Sequence, residues 1–223
     1  GVYSNSEISY SGTVKAATFL KSRFNTITYS SSNTSNKLVN ATFIHCIISN
    51  YFKLPGGSSA SYINCYLHAP IVSGSSEMVN CIVSWYSNDD FMNSSLKNCI
   101  WLGDDSELDG SNIAFNCVSP NAFPFSDMPN TTNKTAKISE IFKNWDGNYK
   151  DGISFELTDN AKKTYLGTDG TEVGIYGGNM PFDPTPTNPQ ITKCNVASKS
   201  TADGKLSVDI TVNGAHRVIQ TEH

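Results

Sequence analysis

The stretch SEMVNCIVSW, residues 76–85, sets an Asn-Cys pair between apolar residues. The pair returns in SSLKNCIWLG as Asn98-Cys99 and in NIAFNCVSP as Asn116-Cys117, eighteen residues apart each time. Aligning outward on the cysteine gives RFNTIT (23–28), FIHCII (43–48), YINCYL (62–67), MVNCIV (78–83), LKNCIW (96–101) and AFNCVS (114–119). The central column reads Thr26, Cys46, Cys65, Cys81, Cys99, Cys117, at intervals of 20, 19, 16, 18 and 18. Before it stand Asn25, His45, Asn64, Asn80, Asn98 and Asn116; after it, Ile27, Ile47, Tyr66, Ile82, Ile100 and Val118. A weaker rung precedes these at SEISY (6–10).

A period near 18 is too short for the common helical repeats and long enough for short strands joined by turns. Each copy is β-branched or aromatic, and the connections are rich in Ser, Gly, Asn and Asp. The pattern is that of an all-β parallel solenoid, whose coils bury their inner faces only by stacking. Asn tolerates the left-handed backbone of a sharp bend, and stacked Asn side chains can form an amide ladder. His45 fills the same slot because it also donates and accepts. The cysteines read as small buried residues of an inner column and as free thiols. Parallel side chains on neighbouring coils do not converge as a disulfide requires, and no close Cys pair suggests zinc. Free thiols outside a cell would suit a reducing or oxygen-poor habitat.

Composition agrees with a turn-rich β protein. Only 16% of the 223 residues are charged, and the net charge is −4 with two arginines, which argues against a nucleic-acid partner. No apolar run approaches the roughly 20 residues of a membrane-spanning helix. No signal peptide is present, and Gly1 reads as a cloning remnant.

Residues 119–150 break the period and read as an irregular excursion, with one short helical turn within 137–147. Then comes ISFELTDNAKKTYLGTDGTEVGIYGG (153–178). Through Phe155, Leu157, Gly167, Thr168, Asp169, Gly170, Thr171, Gly174, Tyr176, Gly177 and Gly178, this run resembles the end of the solenoid in pectin-lyase-like proteins. These are right-handed parallel β-helices, and the likeness is strongest to secreted and cell-surface proteins of Bacteroidetes. With the Asn-Cys rungs the resemblance covers roughly residues 5–180. It implies a single-stranded right-handed β-helix of six or seven short coils over 2–178, with coils at about 5–118 and a closing segment at 151–178. It also implies an extracytoplasmic, secreted or cell-surface location. NMPFDPTPTNPQ (179–190) reads as a stiff Pro-rich linker. Residues 191–223 read as a C-terminal β-hairpin about Asp203-Gly204, with Leu206, Val208, Ile210 and Val212 facing one way. It would dock on the solenoid or begin a partial sandwich.

The superfamily contains lyases and hydrolases, so acidic clusters draw attention. Asp89 and Asp90 follow one rung and Asp104 and Asp105 the next, which makes them the candidate catalytic carboxylates or a possible calcium site. Trp85, Tyr86 and Trp101 could supply a sugar-stacking platform beside them. The hydrolases' Gly-His-Gly and Arg-Ile-Lys signatures are absent, and Arg23 lies three rungs from the acids. His68 reads as a turn residue more than a base. The leading expectation is therefore a non-catalytic module for polysaccharide or cell-surface glycan, with an atypical lyase or hydrolase and a structural spacer as alternatives. A second pattern concerns binding. Ile48, Leu67, Val83 and Trp101 share the parity of the cysteines, while Ile27, Ile47, Tyr66, Ile82, Ile100 and Val118 point oppositely, as an outer apolar stripe. Residues 119–150, the hairpin or a partner would have to cover it.

Overall fold

A computed structural model of the chain describes residues 6–29, 36–84, 91, 93–103, 112–121, 132–183 and 190–213. It is an all-β parallel β-solenoid of the right-handed type, with about five turns and only 5% helix. Six coils each give one strand to a six-stranded sheet, ordered from Thr18–Leu20 through Ala41–Ile44, Ser59–Ile63, Ser75–Val79 and Ser94–Lys97 to Ile113–Phe115. After a sharp bend each coil enters a nine-stranded sheet through Arg23–Tyr29, Ile47–Leu54, Tyr66–His68, Ile82–Ser84, Ile100–Trp101 and Val118–Ser119. All these pairings are parallel, and from the second coil onward they keep the register of the sequence repeat, with Ile82 facing Tyr66 and Ile100.

The bends explain the Asn column. His45, Asn64, Asn80, Asn98 and Asn116 all have φ between 50° and 55°, the left-handed region where Asn is among the least strained residues. The first coil departs from the alignment. Its bend is at Lys21, φ 47°, and Arg23 pairs with Ile47, so Lys21-Ser22 occupies the place of His45-Cys46. Asn25 lies within the strand Arg23–Tyr29, beside a register shift, and its side chain reaches Glu7 at 3.4 Å. The expected places of Asn25 in the column and of Ile27 in the outer stripe are corrected by that longer first coil, in which Ile27 pairs with Phe52 and lies in the inner core. The expected amide ladder is also reduced. One amide-to-amide step is present, from Asn116 Nδ2 to Asn98 Oδ1 at 3.1 Å; the Asn64 amide bonds to the Gly-rich segment instead, and Asn80 Oδ1 is buried without a hydrogen-bond partner.

The cysteines do more than fill space. At the corners from His45 to Asn98 the N–H of the bend residue donates to the next coil, as Asn80 does to the Lys97 carbonyl, while the residue after the cysteine donates to the previous coil, as Ile82 does to the Cys65 carbonyl. The N–H between them lies at a buried corner, outside both ladders. It donates to the sulfur of the next coil: Cys46 N to Cys65 Sγ, Cys81 N to Cys99 Sγ and Cys99 N to Cys117 Sγ, each at 3.4 Å. The thiols in turn donate to carbonyls, Cys65 to Phe43 at 3.4 Å and Cys99 to Met78 at 3.3 Å. After the last cysteine the Asn133 amide takes over, accepting from Cys117 N at 2.9 Å and donating to the Ala114 carbonyl at 2.9 Å. A thiol is small enough for the core and still offers an acceptor and a donor. All five column cysteines are buried and unpaired by disulfides, while Cys194 is exposed. Contact with Cys65 and then burial push the Cys46 thiol up, and burial followed by neighbouring thiols pushes Cys81 up, away from the reactive thiolate. A maleimide or disulfide reagent is therefore expected to modify Cys194 alone in the folded protein and all six cysteines in denaturant. Rapid labelling of a column cysteine without unfolding would refute the buried corner.

Between the sheets, Phe43, Tyr62, Met78, Leu96 and Ala114 from one side meet Phe24, Ile48, Leu67, Val83 and Trp101 from the other. Phe43 stacks on Phe19 and Tyr62 at ring separations of 4.7 and 4.9 Å, continuing the coil-to-coil spacing.

The opposite stripe is covered by the chain itself. Tyr66, Ile82, Ile100 and Val118 point outward from the nine-stranded sheet and form a second core with residues of 136–182, including Ile141, Phe142, Trp145, Phe155, Leu157, Val173, Ile175 and Phe182. The cover includes the short helix Ile138–Ile141, at the place where one helical turn is expected. The Gly-rich segment does not simply cap the last coil. It runs back along the bends from the last coil towards the first. Asn116 Nδ2 donates to the Leu166 carbonyl, and Thr168 N donates to Asn98 Oδ1 at 3.1 Å. Asn64 Nδ2 donates to the carbonyls of Ile175 and Gly177 at 2.9 and 2.7 Å. His45 Nε2 meets the Met180 carbonyl at 2.9 Å, and Lys21 pairs with Asp183 at 2.7 Å. The glycines permit this approach: a Cβ on Gly174 (φ +83°) would lie 2.7 Å from Ile100 Cδ1. The Asn column is thus a rail on which the strap docks.

The C-terminal hairpin, Gln190–Val196 paired antiparallel with Val208–Asn213, is present. Leu206, Val208, Ile210 and Val212 remain 50–53% exposed, so the described residues do not cover its apolar face.

Candidate functional site

Asp89, Asp90, Asp104, Asp105, Trp85 and Tyr86 lie outside the described residues. Trp101 is described, and its own expected part in the platform is corrected. Its side chain is fully buried in the inner core, with its ring 5.1 Å from that of Phe91, because it sits at the inward parity two residues after Cys99. It has no face to offer a sugar. Among the described residues no group of three or more His, Cys, Asp or Glu side chains could hold a metal ion. Neither of the two described histidines, His45 and His68, is placed as a base. His45 holds the strap, and His68 ends the strand Tyr66–His68 with its ring roughly parallel to Tyr66 and 6.5 Å away. Burial lowers the affinity of His68 for a proton.

The best-formed site lies where the cover meets the first two coils. Arg23, Ile47, Tyr149, Gly152, Ile153, Phe155, Tyr176 and Phe182 line a cleft of about 310 Å³. Two rings of its wall are fixed by stacking. Tyr66 lies between Tyr149 and Phe155, 5.0 Å from each ring at an interplanar angle of 23°, and Trp145 meets Phe155 edge-on at 5.0 Å. On the other wall Phe182 meets the rings of Tyr176 and His45 at 6.3 and 6.1 Å. Phe155 and Phe182 are buried, while Tyr149, Ile153 and Tyr176 are only partly covered and face solvent. Burial pushes the phenols of Tyr149 and Tyr176 up, with Arg23 opposing it at Tyr149, so both remain neutral hydroxyls.

The one cation of the cleft is Arg23. Its Cζ sits 5.5 Å from the centre of the Tyr149 ring, and it is paired with Asp151. None of the lining residues carries a carboxylate, whereas glycoside hydrolysis commonly uses two; the nearest acid shown is Asp151, paired with Arg23 at its edge. A second hollow, about 560 Å³, lies on the outer face of the six-stranded sheet among Thr42, Ser61, Glu77 and Ser95; it is polar and lacks aromatic walls.

Sequence reasoning passed over this cleft. Its residues come from positions 23–47, 149–155 and 176–182, and no spacing links them. The signal that was present is the aromatic density of an otherwise irregular stretch, Trp145, Tyr149 and Phe155, with Tyr176 inside the Gly-rich motif. No protein family, curated protein or solved structure matches the chain.

Proposed function

We propose that this protein is a non-catalytic carbohydrate-binding β-helix module exported to a bacterial surface or periplasm. In this reading it is a relative of the pectin-lyase-like proteins of Bacteroidetes, which it resembles in its Asn-Cys rungs and Gly-rich segment. The observation that carries the binding reading is the solvent-open cleft walled by Tyr149 and Tyr176 beside Arg23. Sugar rings present flat apolar faces edged by hydroxyls. Partly exposed aromatic rings with a polar handle match both, at low entropy cost because the rings are already packed.

Titration calorimetry against neutral and acidic oligosaccharides tests the reading. Tyr149→Ala and Tyr176→Ala are each expected to weaken binding about three- to tenfold. Ser61→Ala, on the polar hollow, is expected to change nothing. Unchanged binding in both tyrosine variants would overturn the assignment. Incubation with uronic-acid polysaccharides, with and without calcium, is expected to yield no unsaturated products and no new reducing ends.

A further inference from the structure

Arg23 and Asp151 are unequally placed. The arginine side chain is 17% exposed and lines the cleft, while that of Asp151 is 66% exposed on the turn before Ile153. A guanidinium so far from water needs an anionic partner, and its planar fork fits a carboxylate in two parallel hydrogen bonds. Asp151 reaches Nη2 from outside with one carboxylate oxygen, and Nε of the fork is buried without a hydrogen-bond partner. It hangs from a turn closed by Ile153 N donating to the Lys150 carbonyl at 3.2 Å, next to Gly152 at φ +77°. A largely hydrated carboxylate loses little on release, because pairs with an exposed member are weak. The guanidinium also lies over the Tyr149 ring, its Cζ 5.5 Å from the ring centre.

We propose that the cleft takes a ligand bearing a carboxylate on a flat apolar ring, anchored by Arg23, and that Asp151 is an internal stand-in which this ligand displaces. The inference rests on the binding reading above and adds the charge of the ligand and its built-in competitor. Arg23 anchors, Tyr149 and Tyr176 face the ring, and Asp151 keeps the guanidinium neutralised while the cleft is empty. Affinity then depends on the difference between two carboxylates, and removal of the internal one tightens binding.

The test compares three probes on the whole chain: tri-galacturonate, the neutral galactose trisaccharide and phenylacetate. Asp151→Asn is expected to bind tri-galacturonate about fivefold more tightly than the parent protein. Arg23→Gln is expected to lose the preference for tri-galacturonate over the neutral trisaccharide. The neutral trisaccharide should respond to neither change. Phenylacetate gaining equally from Asp151→Asn supports an anchor for ring carboxylates in general; gain by tri-galacturonate alone supports one for acidic sugars. If Asp151→Asn lowers the melting temperature, tri-galacturonate is expected to restore it better than chloride at equal ionic strength, and failure to do so overturns the proposal. Equal affinity of the parent and Asp151→Asn for both carboxylate probes also overturns it. Sugar binding in the cleft without preference for the carboxylate overturns this inference alone. Phenylacetate binding with no sugar binding overturns the carbohydrate reading alone.

Discussion

Replacing Tyr66 with alanine is expected to destabilise the protein by about 3–5 kcal/mol, the cost of truncating a large aromatic side chain in a packed core. Alternation along the strand points Tyr66 out of the solenoid, where a lone coil would show it to water and its loss would cost little. It is instead fully buried and stacked between Tyr149 and Phe155, with Trp145 meeting it edge-on at 5.9 Å. Its removal would empty the contact that joins the cover to the sheet and would loosen one wall of the cleft. Chemical denaturation of Tyr66→Ala against the parent protein measures the effect. A loss below about 1 kcal/mol would mean that the cover does not pack on this face, since surface changes usually fall within that range.

Replacing Asn64 with alanine is expected to cost about 3 kcal/mol, from two separate sources. The buried carbonyls of Ile175 and Gly177 lose the donors that now reach them at 2.9 and 2.7 Å. Alanine must also adopt φ near 50°, which costs an L-residue other than Asn or Gly about 1 kcal/mol or more. Asn64→Gly separates the two, because glycine accepts the bend and still lacks the amide. It is expected to recover about 1 kcal/mol and leave the strap loosened near residues 175–180. Urea unfolding gives the first number and limited proteolysis shows the second. If glycine restored full stability, the amide would matter only for its backbone preference, and the strap would not be held by the column.

Much of the architecture was legible because it is periodic. Asn64, Asn80, Asn98 and Asn116 mark left-handed corners, the cysteines mark the inward direction, and parity then assigns Leu67 inward and Ile82 outward. These are local rules repeated every coil, and one sequence displays them several times. The outer apolar stripe was legible as a face needing cover, but the form of its cover was not. Asn64 meets the strap 111 and 113 residues away, through main-chain carbonyls that leave no trace in side-chain identity. The first bend at Lys21-Ser22 was missed because neither residue resembles the Asn-Cys pair, although the backbone does the same thing there. Trp101 was read both ways, inward by parity and outward by its sugar-stacking chemistry, and packing against Phe91 decided for parity. The cleft was least legible of all. Tyr149 and Arg23 become neighbours only through the fold, whereas Asp89, Asp90, Asp104 and Asp105 drew attention because they follow consecutive rungs in the sequence.

The most direct test is amide and side-chain chemical-shift mapping of the folded protein titrated with tri-galacturonate. The predicted changes fall on Arg23, Ile47, Gly152, Ile153 and the rings of Tyr149 and Tyr176, with Thr42, Ser61, Glu77 and Ser95 on the polar hollow unmoved. Shifts confined to the polar hollow, or no shifts at saturating probe, would contradict the placing of function in the cleft beneath the strap.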